Sequence, residues 1–218
     1  MADGSSYRVD FTDSTTAELM ITPGGEVENT TWEVLPGRLP VGNHDHFVAE
    51  TAGRLWIAGG LTHYRGYPAK LHVFDEMFFY TPGSGVWDSV PMPKQRAYNG
   101  LCAADGKVYV MGGSEPQDSA QSVRVPQPDF LIYDVETESW STGPSLPVAR
   151  MECTSTFVTG RVWVMCGSLL GDGDPTPPLD SLLSWAPGEA SWRAEPPAPV
   201  PMRQFCSAVI GSVIYSCG

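Results

Sequence analysis

The chain has 218 residues, 42% of them hydrophobic and 17% charged, a balance that excludes an intrinsically disordered chain. Its formal net charge of −12 disfavours binding to nucleic acid or to an anionic membrane surface, because phosphate groups repel acidic side chains, whereas basic and neutral partners are compatible with it. The N-terminus lacks a basic and apolar leader, and no apolar run approaches about 18 residues. With five cysteines and no CxxC pair, we predict a cytoplasmic protein with reduced thiols.

The predicted strands begin after a short extension. Residues 1–16 are assigned to an N-terminal extension, and residues 17–40 contain one strand at 18–21 and another around Trp32. Further along, pairs of apolar strands flank glycine-containing dipeptides at 52–53, 105–106, 159–160 and 211–212. Such dipeptides predict two-residue hairpins, because the turn requires positive φ angles.

A second hairpin is predicted after each of the first three, behind a long loop. Its strands are 77–80 with Trp87, 130–133 with Trp140 and 182–185 with Trp192. Glycines at 60, 113, 167 and 218 and tryptophans at 32, 87, 140 and 192 recur every 51–55 residues. A four-strand unit with a period of about 50 residues is typical of β-propeller blades.

This pattern resembles the kelch repeat, as in Gly112-Gly113 at the end of the second strand, Tyr133 at the end of the third and Trp140 seven residues later. The resemblance covers residues 17–218. It implies an all-β fold, a kelch-type β-propeller with four-stranded antiparallel blades at 43–92, 96–145 and 150–197. Residues 17–40 (strands c and d) and 203–218 (strands a and b) would together form one composite blade.

Two interpretations of the ring stay open. With the composite blade, the chain has about four blades and closes on itself. Kelch propellers usually have six or seven blades, so the chain is otherwise a fragment of a larger ring. The open sheet edges of a fragment would drive self-association.

Arginines recur where strand a of a blade begins, at Arg96, Arg150 and Arg203, while the first blade has Asn43. In the kelch domains of ubiquitin-ligase adaptors, arginines at the similar position line the substrate pocket. The resemblance therefore implies that these three bind an acidic motif at the channel mouth. In the structural alternative, each arginine ties its blade to the next through backbone carbonyls and neighbouring acids.

The candidate binding residues also include Asn99, His46 and Glu152. Four cysteines occupy facing positions if the turns at 159–160 and 211–212 have two residues: Cys153 with Cys166, and Cys206 with Cys217. Cross-strand Cβ atoms lie about 4.5–5.5 Å apart, close to the disulfide distance. Disulfides and small buried thiols both stay open. Cys166 and Cys217 also replace the first glycine of the kelch pair.

We predict a kelch-repeat protein-binding module that recognises a protein or peptide partner, with no cofactor or metal. The alternative is a sugar-active enzyme similar to bacterial sialic-acid epimerases. In that enzyme the arginines would hold the sugar carboxylate, and His44, His46 or Glu152 would serve as acid or base.

Overall fold

The computed structural model describes residues 6–11, 16–22, 28–33, 37–62, 71–118, 124–169 and 177–217. The regular elements in these ranges are β-strands, and none of the described residues forms a helix that could cross a membrane. The chain divides into two compact units, residues 1–38 and 39–218. The predicted all-β fold with four-stranded antiparallel sheets is confirmed.

The first unit contains one antiparallel sheet in the order β1-β2-β3, with strands β1 (Ser6–Phe11), β2 (Thr16–Thr22) and β3 (Glu28–Glu33). Strand β1 was not predicted from the sequence, since it lies within the segment assigned to an extension. It pairs along one edge of β2, while β3 pairs along the other. The predicted composite blade would require a strand from residues 203–218 to pair with one edge of β2. That blade stays a prediction.

The second unit contains three four-stranded sheets, which we call the first, second and third blades. The first comprises β4 (Val48–Thr51), β5 (Arg54–Ala58), β8 (Glu76–Tyr80) and β9 (Trp87–Pro91). The second comprises β10 (Gly100–Ala104), β11 (Lys107–Met111), β14 (Phe130–Asp134) and β15 (Ser139–Thr142). The third comprises β16 (Thr154–Val158), β17 (Arg161–Met165), β18 (Leu182–Trp185) and β19 (Arg193–Glu195).

Three two-stranded ribbons complete the second unit. Two of them connect the second and third strands of a blade: β6 (Leu61–Thr62) with β7 (His72–Val73), and β12 (Ser114–Pro116) with β13 (Arg124–Pro126). The third ribbon, which we call the last hairpin, pairs β20 (Cys206–Ile210) with β21 (Val213–Cys217). Gly218, the last glycine of the sequence pattern, lies outside the described residues.

Local turn chemistry explains the inner hairpin of each blade. The turn at Thr159-Gly160 has φ angles of 51° and 74°, and the turn at Asp105-Gly106 has φ angles of 51° and 72°. Both central residues of such a two-residue turn need positive φ, which matches the right-handed twist of the strands on either side. The resulting register places Thr154 opposite Met165 and Leu101 opposite Val110.

The apolar core lies between neighbouring blades. Trp56 and Met77 of the first blade pack with Leu101, Val110 and Tyr133 of the second in one buried cluster. A second cluster joins the second and third blades through the side chains of Tyr109, Phe130, Val162, Trp185 and Trp192. Because each blade covers the faces of its neighbours, burial extends along the whole series of blades.

The first strand of each blade is the innermost one. Strand β10 lies beside both β4 and β16, and β16 lies beside β20. The beginnings of these four strands are therefore brought together, which is the arrangement around the axis of a propeller. We call this central region of the second unit the hub.

Candidate functional site

Four residues just before the innermost strands are linked by a series of backbone hydrogen bonds at the hub. Asp45, Tyr98, Glu152 and Gln204 all have positive φ, between 52° and 58°. The amide of Tyr98 donates to the carbonyl of Asp45 at 3.1 Å, that of Glu152 to Tyr98 at 2.8 Å, and that of Gln204 to Glu152 at 3.2 Å. This left-handed conformation is uncommon for residues with a Cβ and marks sites that the surrounding structure holds in place.

These four residues line a cleft of about 400 Å³, which we call the hub cleft. The remaining lining side chains are His46, Phe47, Phe205, Cys206 and Cys217. All three blades and the last hairpin therefore contribute to it. A concave site that combines aromatic walls with a few polar groups is typical of ligand-binding pockets.

Glu152 supplies a buried carboxylate to this cleft, since only 3% of the residue is exposed. Its Oε2 accepts a hydrogen bond of 2.7 Å from the Ser168 hydroxyl, and its Oε1 accepts one of 2.7 Å from the Gln204 amide. The Nη1 atom of Arg203 is 3.8 Å from Oε2. A carboxylate has about four lone-pair positions, so Glu152 keeps acceptor capacity for a further donor.

His46 lies on the cleft wall, close to the acidic side chain of Asp45 and the imidazole of His44. Its Nδ1 atom is buried without a hydrogen-bond partner among the described residues. Burial lowers the pKa of His46, and the negative charge of Asp45 only partly opposes this. The ring is therefore biased towards its neutral form, in which one nitrogen accepts and the other donates.

Arg96 and Arg150 are buried, each with 1% of the residue exposed. The guanidinium of Arg96 bonds to Asp129, lies 3.2 Å from Glu115 Oε2 and donates to the Gln95 carbonyl. The Nη1 atom of Arg150 donates to the carbonyls of Cys166 at 3.0 Å and Ser181 at 3.4 Å. Backbone carbonyls and acidic side chains are the partners predicted if the arginines have a structural role. The partners observed here belong to each arginine's own blade, whereas the prediction was a link to the next blade.

Arg203 differs from the other two arginines, because its side chain is 29% exposed and faces Glu152. The amides of Gly60 and Gly113 bond to the carbonyls of Arg96 and Arg150, but the equivalent amide of Gly167 bonds to Met202. Met202 therefore occupies the arginine position at the hub. The strand register agrees, because Met202 lies nine residues before the turn residue Gly211, just as Arg150 lies nine residues before Thr159, so Arg203 aligns with Met151.

This one-residue offset explains the different environment of Arg203. Phe205, two residues further along, is 4% exposed and packs with Met165 and Cys166 in a buried cluster. Its burial anchors the segment before β20, since a large aromatic side chain gains favourable burial free energy.

Asn99 lies outside the hub cleft. It is fully buried, its Oδ1 atom has no hydrogen-bond partner among the described residues, and its Nδ2 atom is 3.4 Å from the Gly100 carbonyl. The space above Gly113 is occupied by the Cα and Cβ of Asn99. Its position thus supports the glycine pair rather than a ligand.

The cysteines behave as two different sets. Cys153 and Cys166 are fully buried, and burial raises the pKa of both thiols. Cys206 is the cross-strand partner of Cys217, and their Sγ atoms are 3.3 Å apart at an exposed position on the cleft wall. All five cysteines of the chain are free thiols in the structure.

Five contributors to the cleft were not predicted from the sequence: Asp45, Phe47, Tyr98, Gln204 and Phe205. Asp45, Tyr98, Glu152 and Gln204 follow one another at spacings of 53, 54 and 52 residues, but these four share no residue type. Only their common backbone conformation connects them. Within the described ranges, no group of three or more His, Cys, Asp or Glu residues is arranged to hold a metal ion.

Comparison with known proteins identifies the repeat. The family model described as the kelch motif matches residues 95–147. The same residues contain the second blade, with its Gly112-Gly113 pair and Trp140. This chain carries kelch repeats.

Curated relatives extend the kelch resemblance along the chain. Kelch repeat and BTB domain-containing protein 12 of Danio rerio is 24% identical over 189 residues, which is 80% of this chain and 29% of that protein. Kelch repeat and BTB domain-containing protein 8 of Homo sapiens is 31% identical over 110 residues, half of this chain and 18% of that protein. Beta-scruin of Limulus polyphemus is 29% identical over 104 residues, or 47% of this chain and 11% of that protein. The kelch repeats here therefore match less than a third of each relative.

A solved structure supports the fold. The chain described as "Structure of YjhT" superposes with a TM-score of 0.64 at 16% identity, covering 93% of this chain and 69% of that one. At this identity the similarity concerns the fold alone. Together with the four-stranded antiparallel sheets, it establishes a kelch-type β-propeller architecture.

Proposed function

We propose that this kelch-repeat chain is a protein-interaction module whose hub cleft binds a segment of a protein or peptide partner. The cleft has aromatic walls, formed by Phe47, Tyr98 and Phe205, and a small number of polar groups. Aromatic anchors of this kind dominate the energetics of protein interfaces. Because the packed blades hold these side chains in place, less ordering is required when a partner binds.

The observation that carries the proposal is the buried carboxylate of Glu152 on the cleft wall. Asp45 adds a second acidic group to the lining, and the chain as a whole has a net charge of −12. These charges favour a basic side chain, lysine or arginine, on the partner. An ammonium or guanidinium group would donate to Glu152 alongside Ser168 and Gln204.

The earlier hypothesis of an acidic motif depends on available guanidinium groups. Arg96 and Arg150 already donate to acids and carbonyls inside their blades. Two arginines remain near the cleft: Arg203, close to Glu152, and Arg124, whose guanidinium lies 5.4 Å from the centre of the Tyr98 ring. We therefore rank a basic motif above an acidic one.

A peptide-binding experiment tests this proposal. Immobilised peptides carrying a single Lys, Arg, Glu or phosphoserine in a glycine–alanine background are probed with the full chain. We expect retention on Lys and Arg peptides and a loss of roughly tenfold or more in affinity for Glu152→Gln, because a charge-assisted hydrogen bond contributes about 1.5–3 kcal/mol. Glu136→Gln, in the exposed turn of the second blade, is the matched control and should bind like the wild type. Preferred retention on Glu or phosphoserine peptides would support the acidic-motif hypothesis instead.

A sugar-active enzyme is the second candidate, favoured by the presence of His46 and Glu152 in one cleft. A neutral imidazole and a carboxylate are suitable groups for proton transfer. The test is NMR of sialic acid incubated with the chain, which would show faster interconversion of its anomers. Acceleration that is lost in both His46→Gln and Glu152→Gln would favour the enzyme over the interaction module.

A further inference from the structure

The last hairpin holds two thiols face to face on the wall of the hub cleft. Cys206 of β20 is the direct cross-strand partner of Cys217 of β21, and the two Sγ atoms are 3.3 Å apart. Both residues are exposed, and both line the cleft. Reagents in solution therefore reach either sulfur.

The backbone already has the spacing that a disulfide requires. Directly opposed residues of an antiparallel pair have Cα atoms about 4.5–5.5 Å apart, within the range of about 4.4–6.8 Å found across disulfides. The sulfurs must approach to about 2.05 Å, which side-chain rotation supplies without a change in strand register. We propose that Cys206 and Cys217 form a reversible disulfide by exchange with a small-molecule disulfide.

The exchange proceeds in two balanced steps. The Cys206 thiolate attacks one sulfur of the small disulfide, which releases one small thiolate and leaves a mixed disulfide on Cys206. Cys217 then gives its proton to water and attacks the Cys206 sulfur, which releases the second small thiolate. Two protein thiols are oxidised, and one small disulfide is reduced to two thiols.

The local environment assigns different roles to the two sulfurs. The hydrogen bond with Cys206, followed by the charge of Cys206, raises the pKa of the Cys217 thiol. Cys217 therefore tends to keep its proton, which suits it to the second step of the exchange. Because the thiolate is the nucleophile, the exchange should accelerate as pH rises.

The other three cysteines are protected by burial. Burial raises the pKa of Cys102 to about 12 and also raises the pKa values of Cys153 and Cys166. Buried thiols in apolar surroundings are inert towards exchange. Oxidation should therefore be confined to the Cys206–Cys217 pair, independently of what the cleft binds.

Mass spectrometry of the full chain tests the proposal directly. The reduced chain is incubated with oxidised glutathione, its free thiols are alkylated under denaturing conditions, and it is digested with trypsin without reduction. No Lys or Arg lies between Gln204 and Gly218, so one peptide contains both cysteines. We expect this peptide to be unalkylated and lighter by two hydrogen atoms, with dithiothreitol reversing the change.

Matched variants separate the pair from the other thiols. Cys206→Ser and Cys217→Ser should each abolish the internal disulfide, whereas Cys153→Ser should leave it unchanged. Persistent alkylation at both sites, a glutathione adduct on each cysteine or a disulfide between two chains would overturn the proposal. The wild-type peptide alone decides the outcome if a serine variant fails to fold.

Discussion

Arg150 illustrates how contacts at the scale of a single residue decide between two roles for the same side chain. Its guanidinium is buried, and burial lowers its pKa, but it donates to the carbonyl oxygens of Cys166 and Ser181. These two carbonyls lie on either side of the loop that joins β17 to β18. Arg150 therefore closes this connection from inside the third blade, whereas the guanidinium of Arg203 faces the Glu152 carboxylate.

We expect Arg150→Met to lower the free energy of unfolding by about 2–4 kcal/mol, because it leaves two buried carbonyl oxygens without their charged donor. Arg203→Met is the matched control, and its partly exposed ion pair should contribute less than about 1 kcal/mol. Urea unfolding followed by tryptophan fluorescence measures both. Equal losses for the two variants would contradict the structural role of Arg150.

At the scale of elements, a glycine pair connects the first blade to the second and the second blade to the third. Gly112 has a φ of 62°, and a Cβ at this position would lie 2.6 Å from the carbonyl oxygen of Arg150. The following Gly113 donates its amide to that same carbonyl. The pair thus allows the end of β11 to approach the chain just before β16 at a distance where a Cβ on Gly112 would overlap with backbone.

Gly112→Ala should destabilise the chain by about 2–5 kcal/mol, since strain from positive φ adds to a steric overlap with backbone. Gly160→Ala provides the control: its φ is 74°, but a Cβ there meets nothing within 4 Å. We expect a loss of only about 1–2 kcal/mol for this variant, from backbone strain alone. The comparison requires thermal unfolding curves of both proteins, and similar midpoints would show that the close approach does not exist.

At the scale of the whole second unit, tryptophans of the repeat join neighbouring blades. The indole of Trp140 donates to the carbonyl of Pro91 at 2.8 Å, and the indole of Trp192 donates to that of Pro144 at 2.7 Å. Trp140 lies in the outermost strand of the second blade and Trp192 directly precedes that of the third, so each bond reaches the end of the preceding blade. Stability in such a series depends mainly on contacts between neighbours, so these bonds couple the unfolding of adjacent blades.

Trp140→Phe keeps most of the aromatic packing but removes one of these bonds, and we expect it to cost about 1 kcal/mol. Trp163→Phe is a suitable control, because the Trp163 indole nitrogen is buried without a partner among the described residues. Its replacement should be neutral or slightly stabilising. Circular dichroism melts would contradict the coupling if Trp140→Phe and Trp163→Phe behaved alike.

The predictability of the site differs from that of the fold. The two-residue turns and the facing positions of Cys206 and Cys217 followed from local patterns, since strand pairing outward from a turn leaves one register. The hub cleft could not be predicted in the same way. Asp45, Tyr98 and Gln204 share only a backbone conformation, which their different residue types do not indicate. The displacement of Arg203 was also hidden, because its 53-residue spacing from Arg150 falls within the 51–55-residue range of the repeat markers, although the strand register aligns Met202 with Arg150.

The amino-acid sequence by itself determined the strands of the three blades and the last hairpin, the inner turns and the kelch repeat, because alternation of apolar residues and positive-φ turns act over a few neighbouring positions. Only the tertiary structure decided which polar groups face the hub cleft and which form their hydrogen bonds inside a blade. Residues more than 50 positions apart, such as Glu152 and Gln204, meet there through the stacking of whole blades. Burial and hydrogen-bond partners at such distances depend on the packing of complete sheets, which no local pattern encodes.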